Sequence, residues 1–229
     1  MSQARRIWWI GLAIVAFPIL VAGREYVQHV PETAPRTWIR EGEAESFRQF
    51  CEDSELYARI KRDFDRLYLD WPLPEEPETY GDPDPRKRTA EKVVKWHEAQ
   101  NVTNRVATVA EAATLIWRVT GEAKYLEKAQ SFLLGIVGWG NSGVTDIHYN
   151  DEAHFRLWRK LPQVYDQLRG TFSEEEKETI LRYFRERGNR SVRWIREHGV
   201  ESLSRNSVDQ EPSSHAVRFM AMTGVSGLA

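Results

Sequence analysis

Two amphipathic segments joined by a very short link place the strongest constraint on the fold of this sequence. The first carries apolar residues at helical spacing: Val102, Val106, Val109, Ala110, Ala113, Ile116 and Trp117. The second, Glu122 to Val137, also has one apolar face: Tyr125, Leu126, Ala129, Phe132, Leu133 and Ile136. Thr120-Gly121 separates them, and glycine favours the left-handed conformation that ends helices. Because the connection is so short, the two helices must form an antiparallel hairpin.

Helical patterns continue on both sides of this hairpin. We expect helices over 43–70, interrupted by an N-cap at Asp53-Ser54, over 87–119, and from Asn150 or Asp151 to about Leu168 with a kink at Pro162. Ser173 begins a capping box that opens a helix to Ile195, and Pro212 suits the first turn of a final helix. No segment alternates like a strand, and the prolines between 71 and 85 indicate an extended loop.

The predicted fold class is therefore all-α, an incomplete (α/α) toroid of antiparallel helical hairpins. The sequence ends at residues 222–229, just after an apolar helical pattern has begun. A natural domain would rarely end there, so we expect that the toroid is truncated at its C-terminus.

The N-terminus has the layout of a secretory signal. Arg5 and Arg6 precede an unbroken apolar run, 7–22, which small residues and the charged Arg24 follow. The run is shorter than the roughly 20 residues of a membrane-spanning helix, and an uncleaved membrane anchor is the alternative interpretation. We therefore divide the chain into a signal or anchor (1–23), a connector (24–42) and the helical domain (43–229). The protein is expected to be exported, and to be periplasmic, extracellular or membrane-anchored.

Composition limits the classes of partner. The formal net charge is −2, which provides no basic field for nucleic acid. Cys51 is the only cysteine, so it forms no internal disulfide; we expect a buried, inert thiol, with a reactive thiol as the alternative. The sequence has no glycine-rich nucleotide loop, no Cys-x-x-Cys pair and no His-Glu-x-x-His motif. No cofactor or metal is expected.

The densest polar run, 148–152, follows a glycine-bearing turn and opens directly into a helix. Asn150 and Asp151 are good helix caps, which explains them without a function. In the functional interpretation, His148, Tyr149 and Asn150 bind a polar ligand. A metal site of His148, Asp151 and His154 is a third alternative, favoured only by the three-residue spacing of the last two. The neighbouring Trp139 is either a sugar-stacking platform or part of the core.

His215 lies in the first turn of the final predicted helix. The positive end of the helix dipole lowers the pKa of an imidazole there, which leaves a neutral ring able to donate or accept a proton. The same helix end attracts a carboxylate. The alternative is a partly buried histidine that is hydrogen-bonded to Ser213 or Glu211.

Several short motifs, taken in order, resemble one family. They are Thr103-Asn104-Arg105, Thr120-Gly121-Glu122, Tyr149-Asn150-Asp151-Glu152-Ala153, Leu161-Pro162, Tyr165-Asp166, Ser173-Glu174-Glu175-Glu176 and Ser214-His215. Over residues 40–229 the sequence resembles the N-terminal helical domain of the heparinase II/III-like and alginate-lyase-like polysaccharide lyases. The resemblance implies an incomplete (α/α) toroid that β-sheet domains follow.

The resemblance also implies β-elimination on a uronic-acid polysaccharide such as alginate or a glycosaminoglycan. In that family a polar or cationic group neutralises the uronate carboxylate, a Tyr or His removes the C5 proton, and a Tyr protonates the leaving O4. By position, His215 is the base or the carboxylate neutraliser, and the catalytic tyrosine lies beyond Ala229. The expected substrate-binding residues are Trp139, His148, Tyr149, Asn150 and Asn206, although many members carry an asparagine closer to the histidine.

Three other functions are compatible with such a helical domain. A uronate epimerase would share the chemistry, and a non-catalytic carbohydrate-binding domain would keep the groove without the base. A toroid glycoside hydrolase would need two opposed carboxylates. Asp151, Glu152 and Asp209 are available, but no sequence pattern pairs them.

Overall fold

A computed structural model describes residues 34–82, 89–200 and 214–227 of the chain. This part contains helices α1 (Ala44–Glu52), α2 (Glu55–Leu67), α3 (Ala90–Thr120), α4 (Ala123–Gly138), α5 (Asp151–Trp158), α6 (Leu161–Leu168), α7 (Glu174–Trp194) and α8 (Ser214–Ser226). Short 3-10 turns lie at Glu41–Glu43, Gly143–Thr145 and Arg169–Thr171, and a π-helical segment at Ile195–Val200 follows α7. Because the described ranges contain no strand, the predicted all-α class is confirmed.

The predicted hairpin of α3 and α4 forms the centre of the structure. Gly121 ends α3 in the left-handed conformation, with φ of 70°, and donates its N–H to the Trp117 carbonyl at 2.7 Å. Along the hairpin, Val106, Ala110 and Ala113 lie in one buried cluster with Phe132. Helices α5 and α6 pack on other parts of α3, so this long helix connects most of the core.

The segment after Asn150 forms two helices, which corrects the prediction of one kinked helix. The sequence has a proline at 162, and proline has no N–H for the carbonyl four residues earlier. That carbonyl belongs to Trp158, and it accepts instead from the Ser226 hydroxyl of α8 at 2.8 Å. The chain therefore breaks between α5 and α6, and the unused acceptor binds a distant helix.

Helices α1 and α2 are separated at the predicted cap. The Ser54 side chain accepts from the Tyr57 N–H at 3.2 Å. Cys51 is buried as expected, and burial raises the pKa of its thiol. Several apolar residues at helical spacing in these two helices are not buried, because Phe50, Ile60 and Leu67 are exposed.

The ends of the described chain are also tied into the helices. The second half of the predicted connector packs on α6, because Asp166 accepts from the backbone N–H groups of Arg36 and Thr37, both at 2.7 Å. The predicted capping box at Ser173 opens α7, and α8 contacts α5 and α7. The predicted signal or anchor lies outside the described residues. Among the helices that the structure describes, none has both the length and the apolar character for a membrane span.

Candidate functional site

One loop makes polar contacts with three helices. The loop 139–150, called here the site loop, leaves α4 and enters α5. Its last residue, Asn150, donates from its side chain to the Trp96 carbonyl near the start of α3, at 3.2 Å. Asp146 of the same loop pairs with Arg190 near the end of α7. The site loop therefore lies among the first turns of α3 and α5 and the last turns of α7.

The site loop is fastened to one face of α7. Asn141 is buried, and its amide donates to the Tyr183 carbonyl at 3.1 Å and to Glu186 at 3.2 Å. One turn later, Arg187 donates to the Gly140 carbonyl at 3.3 Å. Helix positions three and four residues apart share a face, so these contacts and the Asp146–Arg190 pair form one continuous row along α7.

Arg187 is the centre of a buried polar network. Its side chain is 1% exposed, and Nη1 donates to the Thr145 carbonyl at 3.1 Å and lies 3.0 Å from His154 Nδ1. Nη2 also donates to the Thr145 hydroxyl at 3.3 Å. On the far side of the imidazole, His154 Nε2 lies 2.8 Å from Ser191 Oγ. Four buried residues from the site loop, α5 and α7 are thereby joined.

The direction of the hydrogen bonds in this network follows from the guanidinium. Arginine has only donors, so His154 Nδ1 must accept from Arg187, and Nε2 then carries the proton that it donates to Ser191. The Ser191 hydroxyl in turn donates to the Arg187 carbonyl at 3.1 Å. A histidine that activates a serine must accept the serine proton. The pair is therefore arranged for structure and not for nucleophilic catalysis.

The charge state of His154 supports the same conclusion. Burial, and then the positive charge of Arg187, lower the pKa of His154 well below its ordinary value, although the Thr145 backbone acts in the opposite direction. The imidazole is therefore neutral at physiological pH. A neutral, 1% exposed ring with both nitrogens engaged has no proton to exchange with a ligand.

The proline-rich segment 71–82 covers the site loop from the other side. Glu76 accepts from the Thr145 hydroxyl at 3.1 Å and reaches the underside of Gly143, whose φ of 87° favours glycine. Partial burial raises the pKa of Glu76, although the hydrogen bonds from Thr145 and the charge of Arg187 oppose this. Glu76 thus provides a carboxylate near the buried guanidinium.

The structure places the predicted ligand-binding residues of the site loop in three different environments. Tyr149 is part of the contact with the proline-rich segment: its hydroxyl accepts from the Tyr80 N–H at 2.6 Å and donates to the Gly81 carbonyl at 2.8 Å. Asn150 is 1% exposed and caps α5, with Oδ1 accepting from the Ala153 N–H at 3.0 Å. The cap interpretation of Asn150 is therefore confirmed. His148 alone of these three is exposed.

The other predicted residues are more widely distributed. Trp139 is half-buried and packs against the main core, as its packing interpretation predicts. For His215 the structure describes the α8 backbone only, and Asn206 lies outside the described residues. Within the described ranges, no three His, Cys, Asp or Glu side chains are grouped as a metal site would require.

A salt bridge joins the N-terminal half of α8 to the first turn of α5. Arg218 Nη2 lies 2.7 Å from Glu152 Oε1, and Arg156 Nη2 lies 3.4 Å from the other oxygen of the same carboxylate. The Arg218 guanidinium also lies 5.3 Å from the Phe155 ring centre. The salt bridge therefore joins α8 to the helix that begins directly after His148–Asn150.

Arg187 and Glu76 hold the site loop in position through hydrogen bonds, and neither residue was identified from the sequence. A signal for Arg187 was present, because it follows Ile180 and Phe184 at helical spacing on the buried face of α7. A charged residue in such a stripe indicates a buried partner. For Glu76 there was no signal, since an extended proline-rich segment has no periodicity.

No protein-family model matches this sequence, and no curated protein matches it. The resemblance to polysaccharide lyases therefore stays a prediction.

Proposed function

We propose that this chain is the N-terminal helical part of an exported polysaccharide lyase that acts by β-elimination on a uronic-acid polysaccharide. In this proposal the helices form part of an (α/α) toroid, and the end that carries the site loop faces the polymer. His215 acts as the base or as the neutraliser of the uronate carboxylate.

The observation that supports the proposal best is the Arg218–Glu152 salt bridge of 2.7 Å. Residue 215 precedes Arg218 by one turn of α8, and Glu152 lies in the first turn of α5. The N-terminal ends of two helices therefore meet beside the site loop. The N-terminal end of a helix carries partial positive charge, which favours a carboxylate ligand.

The proposed reaction needs a neutralised carboxylate and a base at the C5 proton. A carboxylate at these two helix ends would lose part of its negative charge, which acidifies the neighbouring C–H bond. His215, near a helix N-terminus, would be held as a neutral imidazole, the form that a general base requires. Exposed His148 borders the same surface and would contact the saccharide.

A second candidate function is carbohydrate binding without catalysis. It is favoured by the structural use of Tyr149 and Asn150, whose polar side chains bind the proline-rich segment and the backbone of α3 and α5. If the site loop only forms part of the binding surface and transfers no proton, the protein would bind the polysaccharide without cleaving it.

The deciding experiment is a lyase assay on the complete gene product with alginate and with a glycosaminoglycan. β-Elimination yields an unsaturated uronate that absorbs in the ultraviolet, whereas hydrolysis yields new reducing ends without that absorbance. We expect that His215→Ala lowers kcat at least about 100-fold, the lower limit for loss of a general base. His148→Ala is the matched control, for which we expect a raised KM and an unchanged kcat.

Two results would contradict the proposal. Full activity of the His215→Ala protein would remove the assigned role of that residue. Binding of either polymer by the unaltered protein, with no ultraviolet product and no new reducing ends, would support the non-catalytic candidate.

A further inference from the structure

A cleft of about 480 Å³ lies between α2 and α3, apart from the site loop. Its size is within the roughly 300–1,000 Å³ range of small-molecule sites. Polar side chains line it from α2 and its C-cap, Arg59, Asp63 and Tyr68, and from α3, Asn101, Asn104, Arg105 and Thr108. This combination of two guanidiniums, two amides and an aromatic ring on a concave surface has no role in the structure described above.

The cleft carries uncompensated positive charge. Asp63 lines it, but this carboxylate is paired with Arg66 at 3.0 Å. Arg59 and Arg105 have no carboxylate within salt-bridge distance in the part of the chain that the structure describes. By contrast, Lys61 of α2 is paired with Asp65 at 3.0 Å. Two unpaired guanidiniums facing one cleft favour an anionic occupant.

The arginines are accompanied by unused amides. Asn101 and Asn104 lie one turn apart on α3, both are exposed, and their side chains make no hydrogen bond within the described ranges. Arg105 is positioned over the Trp71 ring, with its guanidinium carbon 5.8 Å from the ring centre. Its charge is therefore held at the cleft by an aromatic surface instead of an acidic partner.

The donor set indicates the chemistry of the ligand. Planar guanidiniums bind carboxylates through two parallel hydrogen bonds, and amides bind hydroxyl groups as both donor and acceptor. Tyr68 adds a ring against which a sugar face can pack. We propose that this cleft binds a uronic-acid unit of an acidic saccharide, with Arg59 and Arg105 on the carboxylate and Asn101 and Asn104 on the ring hydroxyls.

The position of the cleft is compatible with the proposed function. The site loop contacts α3 at Trp96, through the Asn150 side chain, and Asn101 lies five residues further along α3. At about 1.5 Å rise per residue this is roughly 7.5 Å along the axis. The choice of a uronate rests on the proposed function, whereas the choice of a carboxylate rests on the cleft alone.

The test is calorimetric titration of the full chain with a short uronic-acid oligosaccharide prepared from alginate. Arg59→Gln and Arg105→Gln are the test variants; both residues are exposed, so we expect the fold to be retained. We expect at least about tenfold weaker binding for each, the effect of losing one charge-assisted hydrogen bond. Arg182→Gln, on the exposed face of α7, is the matched control and should bind like the unaltered protein.

Two further ligands identify what is recognised. A carboxyl-reduced form of the same oligosaccharide should bind at least about tenfold more weakly, and equal binding would overturn the carboxylate assignment. Acetate at the same carboxylate concentration should not displace the oligosaccharide, and full displacement would overturn the sugar assignment. Unchanged affinity in both arginine variants would overturn the site itself.

The titration also separates this inference from the lyase proposal. Arg59→Gln and Arg105→Gln should weaken binding of the oligosaccharide whether or not the full chain has lyase activity, because both residues line the cleft. Binding that depends on Arg59 and Arg105, without any lyase activity, would support the cleft and contradict the proposed reaction. Lyase activity in a protein whose affinity for the oligosaccharide does not depend on either arginine would support the proposed reaction and contradict the cleft.

Discussion

Replacement of Arg187 by methionine would remove the guanidinium that joins α7 to the site loop. Four acceptors would lose their donor: the Thr145 carbonyl and hydroxyl, the Gly140 carbonyl and His154 Nδ1. Hydrogen bonds to a charged group contribute about 1.5–3 kcal/mol each, but they are not additive, and removing a buried charge recovers part of its desolvation cost. We expect a loss of about 4 kcal/mol, within the roughly 3–5 kcal/mol range for breaking a buried charged network.

Urea denaturation followed by tryptophan fluorescence measures this loss. With an m-value of about 2 kcal/mol/M, a loss of 4 kcal/mol lowers the transition midpoint by about 2 M. The control is Arg182→Met on the same helix, where the side chain is exposed and the expected change is within about 0.5 kcal/mol. A midpoint for Arg187→Met within about 0.3 M of the unaltered protein would refute the assignment of Arg187 as the centre of the network.

Three further predictions concern particular residues. The lowered pKa of His154 means that the unfolded chain takes up the proton first as the pH falls. Its contribution to the free energy of unfolding is therefore complete above about pH 6.5 and declines as the pH is lowered toward about 5. His154→Gln should reduce the difference between the urea midpoints at about pH 7 and about pH 5. A Cβ at Gly135 would lie 2.1 Å from Leu73 Cδ2, so Gly135→Ala should lower the thermal midpoint, whereas Gly138→Ala, with open space around it, should not. Ser173→Ala removes the capping box and should lower the free energy of unfolding by about 1 kcal/mol, as measured by urea denaturation. The control is Ser131→Ala, because Ser131 lies inside α4 and caps no helix.

The features that sequence reasoning predicted correctly depend on neighbours in the chain. Ser54 and Ser173 cap the helices that follow them, and Gly121 ends α3, because each bond is made within one helical turn. The exposure of Phe50 and Leu67 was not predictable in the same way. An apolar stripe shows that a helix can bury a face, but which part is buried depends on the elements that reach it.

The break between α5 and α6 shows the same limit. Proline at 162 predicts a disturbed helix, and a kink and a full break are both consistent with it. The outcome depends on whether the carbonyl of Trp158 finds another donor, and the donor is the Ser226 hydroxyl from a distant helix. No local pattern contains that pairing.

The site loop was recognised from its polar residues, but their roles were not separable by sequence. An asparagine before a helix can bind a ligand or cap the helix with the same amide, and the structure uses Asn150 as a cap. Tyr149 likewise binds the backbone of the proline-rich segment. The distance between Tyr149 and residues 80–81 shows that this side chain holds the loop in place. A distance between residues so far apart in the chain cannot be read from the sequence.

The two layers of polar groups at the site loop have different consequences for function. In the inner layer, the imidazole of His154 and the hydroxyl of Ser191 are buried and satisfied by Arg187, so they fix the position of the loop without exchanging protons. Any proton exchange with a ligand at this end of the molecule must therefore use other groups, of which His148 is exposed. A loop that a buried guanidinium already holds in place loses little conformational entropy when a ligand binds, so a few exposed groups on it can contribute more of their interaction energy to affinity.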